Sequence, residues 1–202
     1  MPDFHAPDGT RLHFEEAGTG TPVIALAGLT RNARDFDHVA PHLDCRLIRM
    51  DYRGRGRSEF SGPDTYTVPT EAQDALALMD HLGLPKAAIL GTSRGGLIAM
   101  TLAAMAKDRL LGVALNDIGP EVPEPALAFI RAYVGQTPPQ RTWDEAAAVR
   151  QAMMVQFPGV PLTRWRAEVE GYYDQTPDGL TLRYDPALRQ SMGDGSEPMP
   201  DL

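Results

Sequence analysis

The sequence predicts an α/β fold built on a mostly parallel sheet flanked by helices, and three observations carry that prediction. Short apolar runs recur at residues 23–27, 47–50, 87–90 and 111–115, continuous in the manner of strands covered on both faces. Stretches of helical periodicity lie between them, so the strands are joined by right-handed crossovers that leave them parallel. The 202 residues are 43% hydrophobic and 23% charged, enough for a chain of this size to bury roughly 70% of its unfolded surface.

Taken in order, Asp8-Gly9 between Phe4-His5 and Leu12-His13-Phe14 predicts an opening hairpin of two antiparallel strands. Gly18-Thr19-Gly20-Thr21 is a turn into the first buried strand. Thr70-Glu71-Ala72-Gln73 reads as a capping box, with Leu76, Met79 and Leu82 at helical spacing behind it and Gly83 and Pro85 to end the helix. Residues 94–106 form the next helix. At Pro120 the composition changes, since 11 of the 18 prolines and both tryptophans fall from there onward. We therefore divide the chain into a core, residues 1–119, and a helical cap with connector, residues 120–202. Within the cap, Leu127, Ile130 and Val134 mark one helix, the capping box Thr142-Trp143-Asp144-Glu145 opens a second, and Trp165, Val169 and Tyr172 mark a third. A brief strand is expected at 180–184, and residues 193–200 read as a connector.

Charge and composition exclude several classes of function. With 19 basic and 27 acidic side chains the net charge is -8, unsuited to a phosphate backbone or an anionic membrane, so neither nucleic acid nor a membrane is expected as a partner. The most apolar stretch, 97–106, is too short to span a bilayer, and Met1-Pro2-Asp3-Phe4 lacks the basic start of a signal peptide, so we expect a cytoplasmic protein. Cys45 is the single cysteine; it has no partner for an internal disulfide or a thiolate metal cluster and is expected to be packing.

Chemistry concentrates in Gly91-Thr92-Ser93-Arg94-Gly95, which follows an apolar strand and opens a helix. In that context G-x-S-x-G is a nucleophile elbow: the turn is tight, Gly91 and Gly95 must lack bulk, and Ser93 is pushed out toward substrate. The first amide of the helix, that of Arg94, faces the same way and suits a developing oxyanion. Ala27-Gly28-Leu29-Thr30 ends the earlier strand, and Gly28 lets the backbone turn so that the Leu29 amide supplies a second donor. Asp51-Tyr52-Arg53-Gly54-Arg55-Gly56-Arg57-Ser58 is not a dinucleotide loop, because Glu59 stands where that fingerprint needs glycine. It reads as a structured loop whose arginines bond neighbouring backbone.

Residues 26–32, 51–58, 91–96 and Leu115-Asn116-Asp117-Ile118-Gly119-Pro120, in that order and spacing, resemble the α/β-hydrolase superfamily, in its serine-nucleophile branch with a helical cap inserted after the sixth strand. The resemblance implies Ser93 as nucleophile, the Leu29 and Arg94 amides as oxyanion hole, a small-molecule substrate cleaved at an ester-like or carbon–carbon bond, and no metal or organic cofactor. Serine argues against the haloalkane dehalogenase and epoxide hydrolase chemistries, which use aspartate at that position in this superfamily. One departure is that Ala27 stands where many members have histidine; the donor is a backbone amide, so the hole is expected to survive.

In this fold the triad runs Ser, acid, His along the chain. Here His5, His13, His38, His42 and His81 all precede Ser93, and each reads as a surface or structural histidine. Asp117 follows the sixth strand, where some relatives carry the acid, but it serves equally to hold the Asp-Ile-Gly-Pro turn. Residues 111–115 would also be an apolar, unprotected sheet edge if nothing paired with them. We therefore expect the C-terminal strands, the acid and the histidine to lie beyond Leu202, in the same chain or supplied by a separate one, and the 202 residues alone to be nearly inactive. The alternative is a non-catalytic hydrolase-like fragment that binds a small ligand or a protein partner. Trp143, Phe157, Trp165, Tyr172 and Tyr173 either shape a mainly apolar pocket under a lid at about 121–184 or pack the cap's own core; packing is favoured for most.

Overall fold

Asp8-Gly9 does turn the chain in the computed structural model, which describes residues 2–119 and 122–192. It joins β1 (Asp3–His5) to β2 (Arg11–Ala17), antiparallel with Phe4 opposite Leu12. Gly9 sits at φ 89°, and the Thr10 amide donates to the Asp8 carboxylate at 3.0 Å, the side-chain turn that favours Asp before Gly. The expected strands follow as β3 (Pro22–Leu26), β4 (Arg46–Met50), β5 (Ala87–Thr92) and β6 (Leu110–Asn116). The sheet order is β1-β2-β4-β3-β5-β6, with β3 to β6 parallel and β2 antiparallel to β4. From β3 the chain crosses first to one side and then to the other. A crevice therefore opens beyond the carboxyl ends of β3 and β5, where open α/β sheets bind ligands.

Period-two alternation splits the buried strands between two cores. Ile24 and Leu26 of β3, with Ile48 and Met50 of β4, pack against α1 (Val68–His81) and α2 (Arg94–Met105) through Ala72, Ala75, Leu78, Ile98 and Leu102. Ala25, Ala27 and Leu47 face the other way, covered by the 3₁₀ turn Ala33–Phe36 through Phe36. Both described core helices thus lie on one face, and short turns cover the second. Cys45 packs beside this smaller cluster, half-buried.

One helix start differs from expectation. The cap of α1 is Thr67, whose hydroxyl accepts from the Thr70 amide at 3.2 Å, not Thr70 itself. Pro69 explains the shift: its fixed φ and missing N–H suit the first turn, so the helix begins ahead of it. Glu71 is consequently not a capping group at the surface but a buried residue one turn in.

The region expected to be the cap contains α3 (Glu124–Tyr133), α4 (Trp143–Met153) and α5 (Leu162–Tyr172). Thr142 caps α4 as expected, accepting from the Glu145 amide at 3.2 Å. The strand near residue 180 is real but is half of a hairpin, β7 (Tyr173–Thr176) with β8 (Gly179–Leu182); four residues of mixed polarity gave β7 no period to detect. Core loops hold the cap at two places. Asn32 donates to the Gly171 carbonyl at 2.7 Å and Arg34 to that of Glu170 at 2.8 Å, while the Gly56 amide donates to Arg183 and the Asp185 amide to Gly54, both at 2.8 Å. The domain boundary at Pro120 and the connector at 193–200 lie outside the described residues. No helix among the described residues is long and apolar enough to cross a membrane.

At the far edge of the sheet, β6 pairs only with β5 among the described residues. Its side chains Leu111, Val113 and Leu115 are 54%, 40% and 45% exposed.

Candidate active site

Ser93 is the single residue between β5 and α2, and it takes φ 51°, ψ -114°. A non-glycine residue at positive φ is strained, and such strain is retained where surrounding structure over-determines it. The surroundings do so here. The Ser93 amide donates to the Asn116 carbonyl of β6 at 3.0 Å, and its carbonyl accepts from the Gly96 amide at 2.8 Å. A Cβ on Gly91 would overlap the Gly95 carbonyl, and one on Gly95 would overlap that of Leu26. Both positions therefore need glycine for close backbone approach.

The Ser93 side chain faces the loop after β3. A Cβ built on Gly28 would lie 3.9 Å from the Ser93 Cβ. That loop is fixed from several sides. The Ala27 carbonyl accepts from the Tyr52 hydroxyl at 2.9 Å and the Gly95 amide at 3.1 Å, and the Gly28 carbonyl accepts from the Arg31 amide at 3.0 Å. Because carbonyl and N–H point oppositely across a trans peptide, the Leu29 amide is turned away from Arg31. Neither the Leu29 amide nor that of Arg94 donates to a protein acceptor among the described residues. Leu29, Ser93 and Arg94 line one cavity of about 160 Å³, completed by Leu97, Ile118 and residues of α3.

The loop 51–58 is structured, with Arg53 and Arg55 turned into the protein and Arg57 exposed. Arg53 donates twice to Asp74, at 2.7 and 2.6 Å, and once to Asp8 at 2.7 Å. Arg55 donates to the Leu29 and Arg53 carbonyls at 2.9 and 2.7 Å. The buried Asp51 carboxyl accepts the Ala33 and Arg57 amides at 2.7 and 2.9 Å. Burial pushes its pKa up while those two bonds hold it down. Asp51 borders a separate polar cleft of about 180 Å³ that Ser93 does not reach.

Asp117 also takes positive φ, 54°, directly after β6. It is exposed and does not line the Ser93 cavity. None of the five histidines lines that cavity either. His13 is buried against Asp3, Nδ1 to Oδ1 2.8 Å, and His81 stacks near Phe4 and Phe14 with centroids 5.7 and 5.9 Å away. The Ser93 hydroxyl correspondingly has no hydrogen bond among the described residues. The expected pocket aromatics are placed otherwise. Trp165, Trp143 and Tyr173 belong to the cap's own core, Phe157 stands edge-on to Trp165 at 6.4 Å, and Tyr172 lies under the Arg31 guanidinium at 3.5 Å. No member of this set lines the cavity, whose apolar wall is aliphatic. Packing around α4 and α5 accounts for Trp143, Trp165, Tyr173 and Phe157, while Tyr172 packs on Arg31 of the loop after β3.

Charged residues that no sequence motif marks lie beneath the site. Glu71 and Asp74 are both fully buried on α1. The available signal was position: Glu71 shares a helical stripe with Ala75 and Leu78, and an acid on an apolar stripe needs buried partners.

This elbow, the unbonded amides beside it and the parallel sheet under both define an α/β hydrolase, and the chain belongs to that family: residues 21–164 match the model of the alpha/beta hydrolase fold. The chain is 37% identical over 173 residues to the 3-hydroxybutyrate-oligomer hydrolase of Cupriavidus necator, a match spanning 82% of this chain and 59% of that protein. It is 31% identical to a soluble epoxide hydrolase of Corynebacterium, over 56% of this chain and 40% of that one. An alpha/beta hydrolase crystal structure from Novosphingobium aromaticivorans superposes with TM-score 0.87 at 35% identity, covering 99% of this chain and 74% of the other. The chain thus spans about three-fifths of the first of these proteins.

Proposed function

We propose that this chain is the nucleophile-bearing part of a serine hydrolase that cleaves an ester-like or carbon–carbon bond of a small, mainly apolar substrate. The observation that carries the reading is the convergence of Ser93, in strained left-handed backbone, with the unbonded Leu29 and Arg94 amides on one cavity wall. Ser93 Oγ gives its proton to a general base as it bonds to the substrate carbonyl carbon, and the two amides take the charge that develops on the carbonyl oxygen. Collapse breaks the bond to the leaving group, which departs with that proton and leaves an acyl-enzyme for water to hydrolyse. The relative from Cupriavidus, named for hydrolysis of 3-hydroxybutyrate oligomers, favours an ester over a carbon–carbon bond.

The general base is the part to be supplied. The reading assigns it to a histidine carried by further strands that pair with β6, with Asp117 or a later acid to orient it. The open apolar edge of β6 and the partial span of the relatives support that assignment. Loss of the histidine from such a site costs about 10⁶ in turnover, so the 202 residues alone are expected to be nearly inactive. The absence of any histidine from the Ser93 cavity among the described residues favours, for this chain taken alone, a second reading as a ligand-binding fragment. Hydrolysis of 4-nitrophenyl butyrate by the product of the whole gene tests the first reading. Ser93→Ala is expected to lower kcat by at least about 10³, whereas retained activity in that variant overturns it.

A further inference from the structure

We propose that Glu71 is a positioning residue that sets both oxyanion-hole amides at once, a role that rests on the reading of Ser93 above. Glu71 and Arg55 are fully buried. One carboxylate oxygen accepts from Arg55 Nη1 at 2.8 Å and the other from Arg94 Nε at 2.6 Å. Each guanidinium then reaches a different side of the hole. Arg55 Nε donates to the Leu29 carbonyl at 2.9 Å, so the residue offering the first amide is held by its own carbonyl. Arg94 offers the second amide, and its side chain is tied twice, to Glu71 and through Nη2 to the Tyr66 carbonyl at 2.7 Å.

One buried acid thus holds the loop after β3, through Arg55, and the first residue of α2 after β5. Charge-assisted, buried hydrogen bonds of this length are the strong class. The rings of Tyr52 and Tyr66 flank the Arg55 guanidinium at 5.5 and 5.3 Å, which keeps it from swinging away. Two guanidiniums against one carboxylate also leave one net positive charge beneath the hole. Charge and position therefore predict opposite effects of removing the acid. Glu71→Gln leaves more positive charge and would speed the reaction if charge alone mattered; loosened amides would slow it.

The test uses the product of the whole gene and 4-nitrophenyl butyrate. Glu71→Gln is expected to lower kcat by about 10- to 100-fold with KM within about threefold, part of the 10²–10³ that one donor supplies. Leu78→Ala, which opens a cavity on the same helix without touching the network, is expected to lower Tm and leave kcat unchanged. An unchanged or raised kcat in Glu71→Gln, or a loss matched by Leu78→Ala, overturns the proposal. If Glu71→Gln does not fold, Arg55→Lys keeps the charge and removes the Leu29 bond; a kcat within about twofold of wild type then overturns it. Failure of the Ser93 reading is seen separately, as activity surviving Ser93→Ala. In that event the ¹⁵N–¹H resonances of Leu29 and Arg94 decide: both are expected to move in Glu71→Gln and neither in Leu78→Ala, and unmoved resonances contradict the role.

Discussion

The two edges of the sheet are built in opposite ways. The β1 edge is three residues long, shows Asp3 and His5 to solvent, and turns Phe4 into the core. Asp3 is further occupied by Arg11 at 3.2 Å and His13 at 2.8 Å. A short charged strand of this kind resists pairing with another chain. The β6 edge is seven residues long and presents leucine and valine along its length. It has the composition of an interior strand in an edge position, and it is also the strand whose Asn116 carbonyl accepts from the Ser93 amide. One end of the sheet is closed by a short charged strand, while the end nearest Ser93 leaves apolar side chains exposed among the described residues.

Substitutions can break that contrast, the largest effect falling at the turn beside Ser93 and the next on the closed edge. Gly95→Ala puts a methyl into the Leu26 carbonyl and is expected to cost more than about 3 kcal/mol, read by chemical denaturation. Phe4→Ala at the closed edge removes a buried ring and is expected to cost about 3 kcal/mol. Thr142→Ala removes the α4 cap and should cost about 1 kcal/mol, with the loss confined to the cap if hydrogen exchange is read there. Val113→Lys with Leu115→Lys at the open edge should change the stability of the 202-residue chain by only about 0.5 kcal/mol. The same pair should suppress its self-association in sedimentation. A loss comparable with Phe4→Ala would show that β6 is already covered.

The six strands and the elbow were legible because each is a local pattern: a continuous apolar run, a DG turn, two glycines flanking a serine. The α1 cap was misplaced because Thr67 and Thr70 both fit locally, and Pro69 decides between them only through helix geometry. The β7–β8 hairpin was half seen because Tyr173-Asp174-Gln175-Thr176 carries no alternation. The ties that position the site were not legible at all. Asn32 to Gly171 spans 139 residues and Arg94 to Glu71 spans 23, and a buried acid looks like a surface acid until its partners are brought to it.

In the proposed enzyme Ser93 is a nucleophile whose activation comes from a segment laid along β6. The most direct test treats both the 202-residue chain and the product of the whole gene with a fluorophosphonate probe and maps the adduct by peptide mass spectrometry. An adduct on Ser93 is expected, abolished by Ser93→Ala, fast in the whole product and slow in the 202-residue chain. No adduct on Ser93 in the whole product, or equal rates in the two, would contradict it.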